Sequence, residues 1–359
     1  MYSSEQLFLL LAVLFLLALV FTLLVNSVFM RFFRTFGIRE NAPRMVRWNQ
    51  SSKPAFGGIG FFIVFLFAFA AYGVLFAKQG DPFRSELIGL LAATGIGFLM
   101  GLADDAYNTR PLLKFVAQVA CGLVLIATGT TISIFNTPGL DQPLTVIWVV
   151  GMMNAINMLD NMDAITSVVA MAILLAAMSA QLLLGPASDI HSVLIIATLG
   201  AIGGFLFFNW HPSRMYMGDT GSQFLGVLLA YLGIHYFWNW TPHGSANIWQ
   251  QISLAVVIFI LPIADTTTVT INRMLRGSSP FVGGKDHTTH YLSYAGLTDA
   301  QVAMSFGGLG IISAFLALVG MYYIQVWRPM HTVLYLGYAF LVALFLFSLT
   351  KRRGIARSL

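Results

Sequence analysis

The chain has 359 residues, 58% of them apolar and only 9% charged, with a formal net charge of +5. Soluble domains carry roughly 25% charged residues, so the composition excludes a water-solvated globule and points to apolar helices packed in lipid. The positive excess reads as attraction to anionic headgroups, and no aromatic residues interleave with a basic stripe as in a nucleic-acid binder. The single cysteine, Cys121, lies in an apolar run and excludes an intrachain disulfide framework or a Cys-based metal site.

The chain opens on the run FLLLAVLFLLALVF, which no Lys or Arg precedes and no small-residue cleavage site closes. It reads as a first span and not as a cleaved signal peptide. Further apolar runs follow, so that spans are predicted at 6–30, 56–77, 86–102, 112–133, 144–157, 164–185, 191–208, 220–239, 250–271, 301–324 and 331–349. Most approach the ~20 residues that cross the hydrocarbon. The expectation is an all-α integral membrane protein with about eleven transmembrane helices in one polytopic domain, 1–359. With the N-terminus outside, only Lys78, Arg84 and Arg328 among the basic residues fall outside. The positive-inside rule therefore predicts an external N-terminus and a cytoplasmic C-terminus. Cytoplasmic loops are expected near 31–55, 103–111, 158–163, 209–219 and 272–300.

The acids carry the functional signal, because charge near a bilayer is costly. Asp104, Asp105, Asp160, Asp163, Asp219, Asp265 and Asp286 all fall at or near cytoplasmic helix ends on this topology. In GLADDAYNTRPLLK (101–114), Asp104 and Asp105 project about 100° apart on a helix, so they suit different roles. One would face a metal or phosphate and the other would support it; a helix cap is the plainer alternative. In NAINMLDNMDAIT (154–166), Asn154, Asn157, Asp160 and Asp163 recur every third residue. They converge only if the helix breaks near Asn161, and two carboxylates serve poorly as mere helix–helix glue. In FNWHPSRMYMGDTGSQFLG (208–226), Gly218 and Gly221 flank Asp219 and admit a close backbone. That setting suits a Mg²⁺ ligand, since Mg²⁺ takes one or two carboxylates together with phosphate and water. In NRMLRGSSPFVGGKDHTTHYL (272–292), Arg273, Arg276, Lys285, His287 and His290 suit phosphate contact better than Mg²⁺, which disfavours imidazole. The first inside loop adds Arg44, Arg47, Trp48, Lys53 and Pro54. Gly57 and Gly58 after them would let backbone approach phosphate.

Taken together, the motifs resemble the polyprenyl-phosphate N-acetylhexosamine-1-phosphate transferases, glycosyltransferase family 4, over nearly the whole chain and in motif order. Asp104–Asp105 match the paired aspartates, Asn154, Asn157, Asp160 and Asp163 match NxxNxxDxxD, and YMGDTGS matches FMGDTGS. Arg276, Ser279, Pro280, Phe281, His287 and His290 match RGxSPF and the His segment. Asn161 and Ala164 stand where the family usually has glycines, and DHTTH replaces HIHH or HHH. The chain therefore looks more like the initiators of surface polysaccharide, the undecaprenyl-phosphate GlcNAc-1-phosphate transferases, than like the peptidoglycan phospho-MurNAc-pentapeptide enzyme. The resemblance implies transfer of a sugar-1-phosphate from a UDP-N-acetylhexosamine to polyprenyl (undecaprenyl) phosphate. The reaction would run at the cytoplasmic face of a bacterial inner membrane, with Mg²⁺ or Mn²⁺ as cofactor and a homodimer as the assembly. It further implies Asp219 with Asp105 as metal ligands, and Asp104 as the residue that orients or deprotonates the lipid phosphate, or as the nucleophile of a covalent route. Asn154, Asn157, Asp160 and Asp163 would bind the nucleotide. Lys53, Lys114, Arg276, His287 and His290 would contact phosphates. A transporter and a Mg-dependent intramembrane prenyltransferase are the rival readings.

Overall fold

The computed structural model describes residues 3–32, 53–75, 84–187, 189–241, 247–279, 283–324 and 326–351. The helices in chain order are α1 (Ser4–Phe32), α2 (Gly57–Leu75), α3 (Ser85–Tyr107), α4 (Pro111–Ala127), α5 (Pro138–Leu159), α6 (Ile165–Leu184) and α7 (Ile190–Asn209). Then come α8 (Gly218–Gly233), which runs on into a π-helix at Ile234–Trp238, α9 (Ile248–Ile258), α10 (Ile260–Leu275), α11 (Thr288–Tyr294), α12 (Asp299–Tyr322) and α13 (Pro329–Leu349). No strand occurs among the described residues.

Every predicted span has a helix or helix pair under it. Eight of the described helices are long and apolar enough to cross a bilayer, or nine if the bent pair α9–α10 counts as one span. The chain is thus a multi-pass membrane protein. Large apolar side chains such as Phe8, Leu16, Phe67, Leu112, Phe315 and Phe340 face outward, as lipid requires. α4 is shorter than the run 112–133 suggested. α5 is longer than the run 144–157 suggested, because its first turns are polar. Those turns are closed by Asp141, whose carboxylate accepts from the backbone N–H of Phe135 and Thr137. The run 250–271 is not one straight helix. It breaks at Phe259 and bends by 75°. Pro262, in the first turn of α10, offers no N–H to the carbonyl of Ile258, which frees the ladder at that point. α11 lies within the stretch read as loop 272–300.

Lipid tails give helices no hydrophobic reason to associate, so close approach of small residues does much of the packing. Gly200 and Gly204 of α7 lie against α1, where added Cβ atoms would sit 2.4 Å from the Phe15 carbonyl and 2.5 Å from that of Leu19. Gly97 and Gly101 do the same for α3 against α8. A Cβ on Gly101 would lie 2.2 Å from the Asp219 carbonyl oxygen. This one close crossing carries the DD pair at the end of α3 to the first turn of α8.

One local feature conflicts with its residue. Ala164, the residue that caps the start of α6, has φ 66°, the left-handed region, and is fully buried with its N–H donated to Asn209 Oδ1. Left-handed backbone costs a residue with a Cβ roughly 1–2 kcal/mol, and glycine forfeits roughly 0.5–1 kcal/mol through its freer unfolded chain. Ala164→Gly is expected to raise stability by up to about 1 kcal/mol, read as a higher melting temperature in detergent. A lower melting temperature would contradict the strain.

Candidate active site

One end of the bundle gathers most of the expected residues: the C-terminal ends of α3, α5 and α10, the N-terminal ends of α4 and α8, and α11. Lys114, in the first turn of α4, forms ion pairs with both Asp104 and Asp219; its Nζ lies 2.8 Å from Asp219 Oδ2. Asp104 also accepts from the backbone N–H and the hydroxyl of Thr109, at 2.8 and 2.6 Å. The chain after α3 curls back to make these bonds through Asn108, whose φ is 50°.

Asp105 faces the other way, as the 100° step on a helix demands. Its Oδ1 accepts from the N–H of Asp219 at 2.9 Å. Its Oδ2 accepts from the N–H of Thr220 at 2.9 Å and from the Thr220 hydroxyl at 2.6 Å. Asp105 therefore caps α8 from outside and fixes the turn that presents Asp219. Gly218 makes room for it: with φ 77°, a Cβ there would lie 2.6 Å from Asp105 Oδ2.

The asparagine–aspartate stripe does break where convergence required. α5 ends at Leu159 and Asp160 caps it. Burial first, then the nearby Asp219 and Asp105 carboxylates, push the Asp160 carboxyl up to about 8. Asn157 donates to Ser222 Oγ at 2.9 Å, joining α5 to the second turn of α8. Asn154 lies deeper and bonds Gln118 of α4 and the carbonyl of Val150, so it ties helices together. Asp163 turns to the segment before α8. It accepts from the Ser213 N–H and hydroxyl at 3.0 and 2.7 Å, and lies 3.0 Å from His211 Nδ1. Asp299 Oδ2 is 3.5 Å from the same nitrogen. Lys53 reaches this edge and donates to Ser213 Oγ at 2.9 Å.

Gly57 and Gly58 do not offer backbone to a phosphate. Their N–H groups donate to the carbonyls of Tyr216 and Met217. A Cβ on Gly58 would lie 2.1 Å from the backbone nitrogen of Gly221. These glycines bring α2 against the turn that carries Asp219. Arg44, Arg47 and Trp48 lie outside the described residues, as do Pro280 and Phe281.

The His segment is held from below by Asp265, fully buried in α10. It accepts from the Thr288 N–H and hydroxyl and pairs with His287 Nδ1 at 2.8 Å. α11 then docks on the α5–α6 turn, where Thr289 donates to Asn161 Oδ1 at 2.6 Å. Arg273, expected at a phosphate, makes a two-pronged pair with Asp286 at 2.9 and 2.6 Å. That pair holds the Asp286 carboxyl below its usual range despite burial. Arg276 remains at the rim, 3.2 Å from the Tyr291 hydroxyl. Burial, then the neighbouring His287, push His290 down to about 3. The unfolded value is near 6.5, so the stability that neutral His290 contributes is complete above about 6.5. It is lost as pH falls from there toward 3. Between pH 7 and 5 the wild type is expected to lose more melting temperature than His290→Gln; equal losses would contradict this.

Thr109, His211, Ser213 and the anchoring role of Asp265 were not singled out from the sequence. Only polar turn composition (NTRP, HPSR) pointed to the first three. Around Asp219 the donor set is four carboxylates, Asp104, Asp105, Asp160 and Asp219, against one ammonium, Lys114. An excess of hard oxygen donors suits a divalent cation, although both Asp105 oxygens are already taken by the α8 turn.

Residues 87–237 match the family model described as glycosyl transferase family 4. The chain is 27% identical over 314 residues to a probable undecaprenyl-phosphate N-acetylglucosaminyl 1-phosphate transferase of Bacillus subtilis, covering 85% of this chain and 83% of that protein. It is 26% identical to a decaprenyl-phosphate N-acetylglucosaminephosphotransferase of Mycolicibacterium smegmatis, over 87% and 82% of the two chains. It is 27% identical to a phospho-N-acetylmuramoyl-pentapeptide-transferase of Halalkalibacterium halodurans, over 87% and 96%.

Proposed function

We propose that this chain, which belongs to glycosyl transferase family 4, transfers N-acetylglucosamine-1-phosphate from its UDP-sugar to a polyprenyl phosphate. An oxygen of the lipid phosphate bonds to the sugar-linked phosphorus, the bond from that phosphorus to the bridging oxygen breaks, and UMP leaves with that oxygen. The product is a polyprenyl diphosphate carrying the sugar. The observation that carries this reading is the carboxylate cluster crossed by Lys114, at the end of the bundle where the positive-inside rule places the cytoplasm.

The acceptor phosphate is already ionised near neutral pH, so the site must position and neutralise more than deprotonate. A divalent cation, Mg²⁺ or Mn²⁺, held by Asp219 would neutralise charge on the donor diphosphate. Lys114 spans Asp104 and Asp219 and is placed to exchange one carboxylate for a phosphate oxygen. Asp104 orients the acceptor. Asp105 is a positioning residue, since both its oxygens hold the backbone of the Asp219 turn. Asp160 and Asn157 stand on the nucleotide side, with Lys53 and Asp163 at the adjoining edge. His287, His290 and Arg276 supply the phosphate contacts of the opposite rim. The likeness to named transferases weighs against the transporter and prenyltransferase readings. The initiator type is preferred because the His segment reads DHTTH.

The test is direct. Protein purified in detergent receives undecaprenyl phosphate, MgCl₂ and radiolabelled UDP-N-acetylglucosamine. Label entering the organic phase with matched UMP release is expected, and EDTA should stop it. UMP release only with another UDP-N-acetyl sugar would move the specificity. No release from any donor by folded protein would overturn the reading.

A further inference from the structure

The opposite end of the bundle carries a second polar cluster that the transfer reaction does not use. Glu86 sits in the first turn of α3, roughly 25–30 Å along that helix from Asp104 and Asp105. His191 sits in the first turn of α7, and His235 in the π-helix that closes α8. One carboxylate oxygen of Glu86 and one ring nitrogen from each histidine all lie within 4.8 Å of one another.

Three features mark this cluster. The first is the backbone. The α-helix gives way to a π-turn, in which Asn239 N–H donates to the carbonyl of Ile234. Such turns are rare and concentrate at functional sites. Here the wider turn carries His235, whose ring stacks over Tyr231 with centroids 6.1 Å apart.

The second is the placement of protons. Tyr231 has one hydroxyl proton and donates it to Glu86 Oε1 at 2.9 Å. At its 2.8 Å contact with His191 Nε2 the phenol oxygen must then accept, so Nε2 carries the ring proton. That leaves a lone pair on Nδ1 of the buried His191 ring, facing Asp189 Oδ1 at 3.3 Å. Asp189 Oδ1 already accepts the N–H of His191. A buried ring nitrogen in that setting takes either a proton or a cation. Arg84, 3.8 Å from the other Asp189 oxygen, balances one of the two carboxylates only.

The third is spacing. His235 Nδ1 lies 3.3 Å from Glu86 Oε1. That is the length of a direct N–H···O contact, and it is also compatible with two ligands of one tetrahedral ion with bonds of about 2.0 Å. Glu86 and His235 are each about a third exposed, so a fourth position is open to water or a ligand.

We propose that Glu86, His191 and His235 bind one divalent transition-metal ion of the zinc class at the end of the bundle remote from the carboxylate site. Two imidazoles and a carboxylate suit zinc, and Mg²⁺ disfavours them. Tyr231 holds the Glu86 carboxylate in place from behind. The ion ties together the ends of α3, α7 and α8, the same α3 and α8 whose far ends carry Asp104 and Asp219.

Cobalt(II) is the probe, used on the full-length protein in detergent with Mg²⁺ in large excess to fill the carboxylate site. One equivalent should bind, give the visible d–d absorption of a tetrahedral site, and be displaced by Zn²⁺. Glu86→Gln and His235→Gln should each weaken Co²⁺ binding at least about 100-fold. Asp219→Asn should bind Co²⁺ like the wild type. No band in the wild type, or a band of equal affinity in both cluster variants, overturns the proposal. X-ray absorption on Zn²⁺-loaded wild type reads the same question without a substitution. Two imidazoles in the coordination shell support the site, and a shell without imidazole overturns it.

Discussion

Asp219→Asn is expected to lower the rate of sugar-phosphate transfer by about three orders of magnitude, about 4 kcal/mol at 1.36 kcal/mol per tenfold. The substitution keeps the shape of the side chain and its place on the first turn of α8. It removes the charge that faces Lys114 at 2.8 Å and, on the proposed reading, an oxygen that would hold the divalent cation. Neighbouring Asp104 keeps its own bonds to Thr109, so the local fold should survive, and gel filtration and melting temperature should match the wild type. A variant that retains more than about a tenth of wild-type rate would remove Asp219 from this role. Titrating Mg²⁺ in the same assay separates the two contributions. Lost cation affinity moves the half-saturating Mg²⁺ concentration, whereas lost orientation lowers the plateau.

The second large effect comes from a residue with no functional group. Gly58→Ala would place a Cβ 2.1 Å from the nitrogen and 2.3 Å from the Cα of Gly221. Both are backbone atoms of α8, so no rotamer change relieves the clash. α2 and the first turn of α8 must separate by on the order of 1 Å, and the bonds from Gly57 and Gly58 to the 216–217 carbonyls must stretch with them. Overpacking of this kind costs roughly 1–3 kcal/mol. Because the displaced turn carries Asp219, transfer should fall about 100-fold even in molecules that stay folded. Gly151→Ala, on α5 with nothing within 4 Å of the new Cβ, is the matched control and should leave both readings unchanged. Wild-type behaviour of Gly58→Ala would show that α2 does not set the position of the Asp219 turn.

The divergence of Asp104 and Asp105 was legible because it follows from helical geometry alone. So was the need for a break near Asn161, and α5 ends at Leu159. The role of the glycines was only half legible. Gly218 and Gly221 do admit a close neighbour, but that neighbour is the chain itself: Asp105 at Gly218 and Gly58 at Gly221. Arg273 illustrates the remaining gap. A basic residue in a loop rich in Gly and Ser looks available to phosphate, and only its pairing with Asp286, thirteen positions away, removes it.

Composition and local pattern by themselves determined the solvent this protein folds in, the places where helices run, and which end of the bundle collects the acids. These depend on transfer free energies and on steps of 1.5 Å and 100° along one helix, which neighbouring residues set. Tertiary structure alone decided the pairings between distant segments: Lys114 with Asp104 and Asp219, Asp105 with the α8 backbone, Asp265 with His287. It also decided the bend at Phe259 and the gathering of Glu86, His191 and His235 from three helices. A carboxylate's role depends on which donor reaches it within about 3 Å. That distance is fixed by how closely helices cross, here at glycines of α2, α3 and α8, and by no property of the aspartate's own neighbours in sequence.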